Sequence, residues 1–270
     1  MLGEFRASVS GLMANQQQLD VIANNLANIN TPAFKQSRAV FQDLVYSRMA
    51  PAGDFAGNAE NSTDPSVALQ DRMGSGVAIG GTATSYAPGP LIQDGDPLHM
   101  AIQGDGFFVV RTADGGAAYT RDGNFSRDSL GRLVTENGDV ALPETRIPAD
   151  ARDIRVDNQG LVFARLGTES GDDVEVQLGE VQLARFTNPQ GLANAGGNLY
   201  LATDNSGPAL VGYPGDEGYG TIASGATEGS NVDTAEQMTQ MIMGQRAYGF
   251  NAKALQTVDE MLDLANNLRR

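Results

Sequence analysis

The chain of 270 residues contains no cysteine and no tryptophan, and its only histidine is His99. Without cysteine it cannot form a disulfide, a thiolate nucleophile, a zinc finger or an iron–sulfur cluster. With one imidazole it cannot build a site that needs several, and a Ser-His-Asp triad would depend on His99 alone. These absences argue against an enzyme, and they predict no metal or cofactor.

Basic residues are scarce, because 18 Lys and Arg stand against 33 Asp and Glu and leave a formal net charge of -15. No basic run offsets the repulsion of a phosphate backbone, so nucleic acid is not an expected partner. The N-terminus lacks the regions of a signal peptide, and no stretch approaches the roughly 18 apolar residues of a membrane span. With 41% hydrophobic residues the chain can bury a core. We expect a folded protein without a cleaved signal peptide or membrane insertion.

Charge and glycine are concentrated in the middle of the sequence. Residues 1–40 have 2 acidic and 3 basic side chains, and residues 231–270 have 5 and 4, which gives +1 and -1. The 26 acidic and 11 basic residues between them carry the whole charge of -15. All but four of the 33 glycines also lie in this middle part. The two ends therefore differ in kind from the middle.

Both ends have heptad spacing, in which small or apolar positions follow each other at steps of three and four. This spacing predicts two long amphipathic helices, the first of which ends at Thr31-Pro32. Gln16 and Gln245 are polar members of the two seams and are candidates for setting register. The helices either pair as a coiled-coil-like domain or pack separately on the middle of the chain. The assembly-interface candidates are Phe5, Val9, Leu12, Gln16, Leu19, Ala23 and Leu26 at the first end, and Met238, Met241, Gln245, Tyr248, Leu255 and Leu262 at the second.

The middle begins with a long segment, residues 50–81, that is rich in Gly, Asn, Ser, Asp and Pro and predicts a long extended or irregular connector. Short apolar runs separated by turn pairs follow it, with turns expected at Asp114-Gly115, Asp122-Gly123, Asn137-Gly138 and Gly160. Such pairs between apolar runs are strong hairpin signals and predict an antiparallel β-rich domain. The predicted class is α+β.

Two glycine-containing motifs suggest ligand loops at first sight. Gly104-Asp105-Gly106 precedes a β run and not a phosphate-binding helix, so a tight turn or bulge is the better interpretation. The segment from Asp122 has Arg127 where a calcium loop requires glycine, so a hairpin turn is expected there. Asp172, Asp173 and Glu175 are expected to be solvated charges, as in most polar stretches. No catalytic, cofactor-binding or metal-binding residue is assigned.

The segment Ala23-Asn24-Asn25-Leu26-Ala27-Asn28-Ile29-Asn30-Thr31-Pro32-Ala33-Phe34-Lys35 closely resembles the N-terminal signature of bacterial flagellar rod and hook proteins. It departs only at Ala33, where the family usually has glycine. The stretch from Glu228 to Asp233, with Gln245-Arg246-Ala247-Tyr248 and Gln256 to Leu262, is similar to the matching C-terminal motif. Gly104 to Val110 and Tyr119 to Phe125 are similar to the central β domain of the family. The signature residues are Asn24, Asn25, Leu26, Asn28, Thr31, Phe34, Lys35, Gln245 and Arg246.

The resemblance implies a structural subunit that polymerises into a hollow helical rod and transmits torque from the motor to the hook. Implied partners are copies of itself, other rod proteins, the hook protein, the ring proteins around the rod and the flagellar type III export apparatus. Within the family, the chain length and Phe41 to Tyr46 before the connector are most similar to distal rod subunits. Proximal rod or hook-like proteins are the alternatives, and a secreted enzyme or effector is a more distant one.

The expected domains combine both lines of reasoning. Residues 1–40 with 231–270 would form a discontinuous helical polymer core, residues 41–85 an extended connector, and residues 86–230 a β-rich outer domain.

Overall fold

A computed structural model describes residues 2–44, 47–48, 72–73, 76–167 and 173–267. The fold is α+β, with two helices and many short strands among the described residues, which confirms the predicted class. The chain forms two compact units. We call them the terminal unit (Met1–Asn24, Ser37–Ala83 and Ala235–Arg270) and the β unit (Asn25–Gln36 and Thr84–Thr234).

Helix α1 spans Leu2–Ala27 and helix α2 spans Thr234–Asn267, so both predicted helices are confirmed. Neither contains a proline, and α2 begins directly after Asp233, a residue type that is common at helix N-caps. α1 ends before Thr31-Pro32, because the backbone turns earlier: the N–H of Asn28 donates to the carbonyl of Asn25 at 3.2 Å. No helix in the described ranges combines the length and apolar character needed to cross a membrane.

The strands are short, and most belong to the β unit. They are β1 Ser37–Asp43, β2 Ser47–Arg48, β3 Arg72–Met73, β4 Val77–Thr84, β5 Leu91–Gln93, β6 Met100–Gln103, β7 Phe107–Arg111, β8 Ala117–Thr120, β9 Ser126–Arg127, β10 Leu133–Val134, β11 Val140–Ala141, β12 Ala151–Val156, β13 Leu161–Gly167, β14 Asp173–Glu180, β15 Leu183–Arg185, β16 Ala193–Gly196, β17 Leu199–Leu201, β18 Leu210–Gly212, β19 Thr221–Ser224 and β20 Ala226–Glu228.

The predicted connector is partly regular. β4 pairs with β1, and the N–H of Val77 donates to Oγ of Ser10 at 3.2 Å. β2 and β3 pair with each other in the same unit. Residues 77–81 of the predicted connector are therefore extended, within β4, and β1 is the partner for their backbone hydrogen bonds. Residues 49–71, which hold most of that prediction, lie outside the described residues.

The largest sheet of the β unit runs in the order β16-β17-β8-β7-β11-β10-β9, and β15 joins β7 to β18. Hairpins at Asp114-Gly115, Asn137-Gly138 and Gly160 are confirmed by the antiparallel pairs β7–β8, β10–β11 and β12–β13. The hairpin expected at Asp122-Gly123 is wrong, because β8 pairs with β7 and β17 whereas β9 pairs with β10. This segment instead crosses the core.

Strand β7 is buried on both faces and separates two cores. Phe108 and Val110 point into a large, mainly aliphatic cluster that also includes Met100, Phe125 and Leu183. The alternate residues of β7 point into an aromatic cluster, formed by Phe107, Val109, Tyr119, Ala184, Phe186 and Tyr200 with Tyr86 packed against it. The run of four apolar residues in β7 is thus the pattern of a strand with both faces covered.

The aromatic cluster predicts a delayed titration of its tyrosines. Burial raises the pKa of Tyr86 to about 12, and it also raises the pKa of Tyr119 and of Tyr200. Because the folded pKa lies above the ordinary value near 10, the neutral phenols stabilise the fold below pH 10, and this contribution is lost as the pH rises towards 12. An absorbance titration should show a late phenolate step that is smaller in Tyr86→Phe. A single step near pH 10 for every tyrosine would contradict the packing.

Candidate assembly interface and signature turn

The predicted seam of α1 is only partly covered within one chain. Val9, Leu12, Leu19 and Leu26 are half-buried, whereas Gln16 and Ala23 are exposed. The side chain of Phe5 lies outside the described residues. Among the described side chains of α1 in the terminal unit, Ala14 and Ile22 are buried, at 4% and 3% exposure. Neither Ala14 nor Ile22 belongs to the predicted seam, so the covered face of α1 is displaced from it.

In α2 the covered face is again displaced from the predicted seam. Met241 and Leu255 are half-buried, but Met238, Gln245 and Tyr248 are exposed, and the side chain of Leu262 is outside the described residues. Because both Gln16 and Gln245 are exposed, neither is a buried amide within the chain. The covered positions follow each other at steps of seven, and we call Gln237, Gly244, Asn251 and Val258 the inner seam.

Glycines bring the two helices of the terminal unit together. A Cβ on Gly11 would lie 3.0 Å from Nδ2 of Asn251, and one on Gly244 would lie 2.9 Å from Cδ2 of Leu19. The two contacts occur in opposite sequence order, so the helices run antiparallel where they meet. Periodicity of apolar residues missed this face because glycine, glutamine and asparagine form much of it. Glycines inside helical patterns were the available signal, since they destabilise a helix unless packing requires them.

α2 also exposes a second apolar face. Met243, Phe250, Met261 and Leu264, which we call the outer stripe, are 65%, 73%, 47% and 63% exposed. Met243 and Phe250 each directly precede a position of the inner seam, so the outer stripe lies about 100° around the helix from it. A helix with apolar residues on several faces is usually buried on several faces. The outer stripe is therefore a candidate contact for a further helix.

The signature turn belongs to the β unit and is joined there to the C-terminal motif. The N–H of Ala33 donates to the carbonyl of Glu228 at 2.7 Å, and the N–H of Asn231 donates to the carbonyl of Phe34 at 3.3 Å. Oδ1 of Asn231 accepts the N–H of Gln36 at 2.7 Å. The two family motifs, nearly 200 residues apart in sequence, thus form one hydrogen-bonded crossing of the chain.

The other signature residues differ in their burial. Asn25 is 2% exposed, Leu26, Asn28, Thr31 and Phe34 are half-buried, and Asn24, Gln245 and Arg246 are exposed. Oγ1 of Thr31 donates to Oδ1 of Asn28 at 3.1 Å. Part of the signature therefore maintains the turn, and its exposed members remain candidates for contacts with other molecules.

Ala33 has a left-handed backbone, with φ of 55°, and is 1% exposed. This conformation explains why glycine suits the position, since a Cβ costs about 1–2 kcal/mol there. We expect Ala33→Gly to change the free energy of unfolding by less than about 1 kcal/mol, because the relief of strain offsets a buried methyl group worth about 0.8 kcal/mol. Ala33→Val should destabilise by about 2 kcal/mol or more, because a branched Cβ tolerates this backbone poorly. Urea unfolding of both variants tests this, and equal effects would contradict it.

A buried ionic cluster lies directly behind the crossing. Nζ of Lys35 donates to Oε1 of Glu228 at 2.5 Å and to the carbonyl of Ala87 at 2.9 Å. NH1 of Arg121 is 3.6 Å from Oε2 of Glu228, and these three side chains are at most 3% exposed. The N–H of Gly89 also donates to Oε1 of Glu228, at 2.8 Å. One carboxylate therefore serves two cations and a backbone donor.

Desolvation dominates the electrostatics of this cluster. Burial lowers the pKa of Lys35, although the neighbouring Glu228 carboxylate opposes that shift. Burial likewise lowers the pKa of Arg121, against the attraction of Glu228 and Asp105. Nε of Arg121 and Oε2 of Glu228 have no hydrogen-bond partner among the described residues. The cluster is held by opposite charges in a buried setting, so the loss of one charge should be costly.

The loop after β8 ties the central motif to the same turn. Oγ1 of Thr120 donates to the carbonyl of Asn198 at 2.8 Å. Nδ2 of Asn198 donates to the carbonyl of Pro32 at 3.0 Å and to Oδ2 of Asp122 at 3.2 Å. All three stretches of sequence that resemble the flagellar family therefore meet around residues 32–35. Sequence reasoning identified each stretch but not this meeting point, since no local pattern relates segments so far apart.

The remaining motifs form ordinary structural features. Gly104 and Gly106 have positive φ values of 114° and 139° in the tight turn between β6 and β7, as expected. His99 hydrogen-bonds to Asp94 near the surface. Glu175 is exposed on β14. Within the described ranges, no three His, Asp or Glu side chains come together as a set that could hold a metal ion.

Comparison with known proteins agrees with this arrangement of motifs. Residues 5–35 match the flagella basal body rod protein family, residues 101–164 match the flagellar hook protein FlgE/F/G D1 domain, and residues 223–268 match the flagellar basal body rod FlgEFG protein C-terminal family. The chain is 40% identical over 272 residues to flagellar basal-body rod protein FlgG of Borreliella burgdorferi, covering 100% of both chains. It is 39% identical to FlgG of Caulobacter vibrioides, covering 98% of each. It is 31% identical to flagellar basal-body rod protein FlgF of Caulobacter vibrioides, covering 94% of this chain and 92% of that one.

Proposed function

Because the chain belongs to the flagellar basal-body rod protein family, we propose that it is a structural subunit of the rod. Copies of it polymerise into a hollow helical shaft that transmits torque from the motor to the hook. In this proposal the role is mechanical, and the side chains contribute by packing within and between subunits. The outer stripe of α2 is the observation that carries this proposal, because it is a long apolar face that α1 leaves exposed.

The terminal helices form the wall of the tube in this proposal. Their antiparallel approach at Gly11 and Gly244 supports coiled-coil-like pairing inside one subunit. The outer stripe then packs against helices of neighbouring copies. Because the two end segments carry only +1 and -1, many copies can pack without accumulating repulsion. Repeated contacts between two different faces generate an open helical polymer.

The domains proposed from the sequence are residues 1–40 with 231–270 as the polymer core, residues 41–85 as the connector, and residues 86–230 as the outer domain, which carries the acidic charge. The two compact units differ from these boundaries mainly at the signature turn, because residues 25–36 belong to the β unit. Identity of 39–40% to FlgG relatives, against 31% to an FlgF relative, supports the distal rod over the proximal rod. The resemblance supports a location in the basal body, export by the flagellar type III apparatus, and contacts with other rod proteins, the hook protein and the surrounding rings.

Phe250→Asp is expected to prevent tube formation, because it places a charge in a face that assembly would bury. Electron microscopy of the purified full-length variant and of the unmodified chain tests this. Leu130→Asp is the matched control: Leu130 is an equally apolar, 65% exposed side chain in a loop of the β unit. Unmodified chain and control should form straight tubes. Curved tubes would favour a hook-like role, and tubes from Phe250→Asp would overturn the proposed contact.

A further inference from the structure

The β unit contains a cavity of about 460 Å³ that no part of the proposed packing explains. Its apolar walls include Tyr86, Phe107 and Phe186 from the aromatic cluster. Arg121, Arg185 and Asp105 also line it. The volume is within the range of about 300–1,000 Å³ that is typical of ligand sites. A cavity with aromatic walls and two guanidinium groups is suited to a particular kind of ligand.

Arg121 is fixed in place at this cavity. It is 2% exposed, its guanidinium carbon lies 5.3 Å from the centroid of the Phe107 ring, and its NH2 donates to the carbonyl of Gly104 at 2.8 Å. Its Nε is a buried donor without a partner among the described residues. Such an unpartnered buried donor is uncommon in folded proteins. The guanidinium is therefore held rigidly and is incompletely used by the chain itself.

Arg185 is the second, more accessible cation. It is half-buried, its guanidinium carbon lies 5.7 Å from the ring centroid of Tyr219, and its NH1 donates to the carbonyl of Gly218 at 3.4 Å. Asp105 is exposed at the cavity, so the two arginines and this aspartate sum to a charge of +1. The opposite formal charges of Lys35 and Glu228, which lie behind Arg121, cancel each other. The cavity is electropositive within a strongly acidic chain.

This charge selects the ligand. A guanidinium presents paired donors that match a carboxylate, and the aromatic walls favour an apolar stem next to it. Asp105 would repel a second negative charge, so a monocarboxylate fits better than phosphate. A cationic ligand is disfavoured, because the two arginines repel it more than the single aspartate attracts it.

We propose that this cavity binds the carboxylate of an acidic side chain from a second copy of the chain. The inference rests on the proposed function, which places many copies side by side. Residues 41–230 of each copy hold 26 acidic side chains, so carboxylates are the most abundant anions that a neighbouring copy presents. The contact would join an electropositive cavity to an acidic surface, and such charge complementarity would reduce the repulsion between subunits that carry -15 each.

Binding of benzoate to the soluble Phe250→Asp monomer tests the cavity separately from assembly. We expect saturable chemical-shift changes in residues that line it, and no such changes with inorganic phosphate at equal ionic strength. Arg185→Met should weaken binding about tenfold, as expected for the loss of charge-assisted hydrogen bonds. Arg165→Met, which removes an exposed arginine on β13, is the control and should not. If Arg185→Met fails to fold, Thr187→Asp is the substitute variant. It adds a negative charge at an exposed residue that lines the cavity, and it should abolish benzoate binding. Absent or unselective benzoate binding overturns the site.

The source of the carboxylate is tested with the full-length chain. Saturating benzoate and Arg185→Met should both raise the critical concentration for tube formation, whereas Arg165→Met should not change it. Selective benzoate binding with an unchanged critical concentration would mean that the cavity takes a free carboxylate, and it would overturn the second copy as the source. If the unmodified chain forms no tubes, the proposed function and the second copy both fail, and the benzoate result still decides the cavity.

Discussion

Replacing Glu228 by alanine is expected to lower the free energy of unfolding of the β unit by about 3–5 kcal/mol. Glu228 is 1% exposed and is the acidic member of the ionic cluster with Lys35 and Arg121. Its removal leaves two buried cations together, where their repulsion is poorly screened. It also leaves the N–H of Gly89 without its acceptor. The large effect thus comes from the groups that lose their partner, which are the two cations and the N–H of Gly89.

Urea unfolding of the full-length chain measures the expected loss. Asp153→Ala is the matched control, because Asp153 pairs with Arg165 at 3.4 Å but both side chains are more than half exposed. Exposed ion pairs contribute at most about 1 kcal/mol, so the control should be close to neutral. A similar effect of both variants would show that Glu228 is not buried among charges.

Replacing the whole cluster by apolar residues is a stricter test. In a buried ion pair, well-packed hydrophobic replacements are often neutral or stabilising. Here the polar side chains also serve the carbonyls of Ala87 and Gly104 and the N–H of Gly89. Each of these would lose its partner at a cost of about 1–3 kcal/mol. We therefore expect a triple variant with Lys35→Met, Arg121→Met and Glu228→Leu to remain less stable than the unmodified chain.

Sequence periodicity predicted the elements of this protein better than their contacts. α1 and α2 follow from long stretches free of proline, and three hairpins follow from Asx-Gly or Gly turns between apolar runs. These signals are local, so one segment of sequence is sufficient to contain them. An extended or irregular connector was predicted from composition alone, but the pairing of its strand β4 with β1 has no local signal.

The candidate site was predictable only in part, for a related reason. The signature turn was found from its sequence, but the pairing of Lys35 with Glu228 spans 193 residues and has no local signal. The inner seam was displaced from its prediction because Gly244 and Asn251 are not apolar, although glycine allows the closest approach of two helices. A hydrophobic pattern gives little information about buried charges and small residues, and these are the features that form the candidate site.

Gly123→Ala is expected to have an effect at least as large as the loss of Glu228 and to prevent the β unit from folding stably. A Cβ on Gly123 would lie 1.5 Å from the carbonyl oxygen of Met100 and 2.6 Å from its carbonyl carbon. Both atoms are backbone, so no side-chain rotation relieves the clash. The same residues are joined by a hydrogen bond from the N–H of Met100 to the carbonyl of Gly123 at 3.0 Å. This close approach is also why Asp122-Gly123 crosses the core and does not form a hairpin turn.

The clash lies where displacement is least tolerated. Met100 is 0% exposed, and a methyl group on Gly123 would also approach the ring of Phe108, which is 1% exposed in the same core. Moving either backbone breaks the packing that surrounds it, so a loss above about 4 kcal/mol is expected. Gly116→Ala is the control: its Cβ would meet nothing closer than 3.5 Å, and it should be neutral or stabilise by up to about 1 kcal/mol. Circular dichroism and urea unfolding of both variants measure the difference. A folded Gly123→Ala with near-normal stability would mean that this segment does not cross the core against Met100.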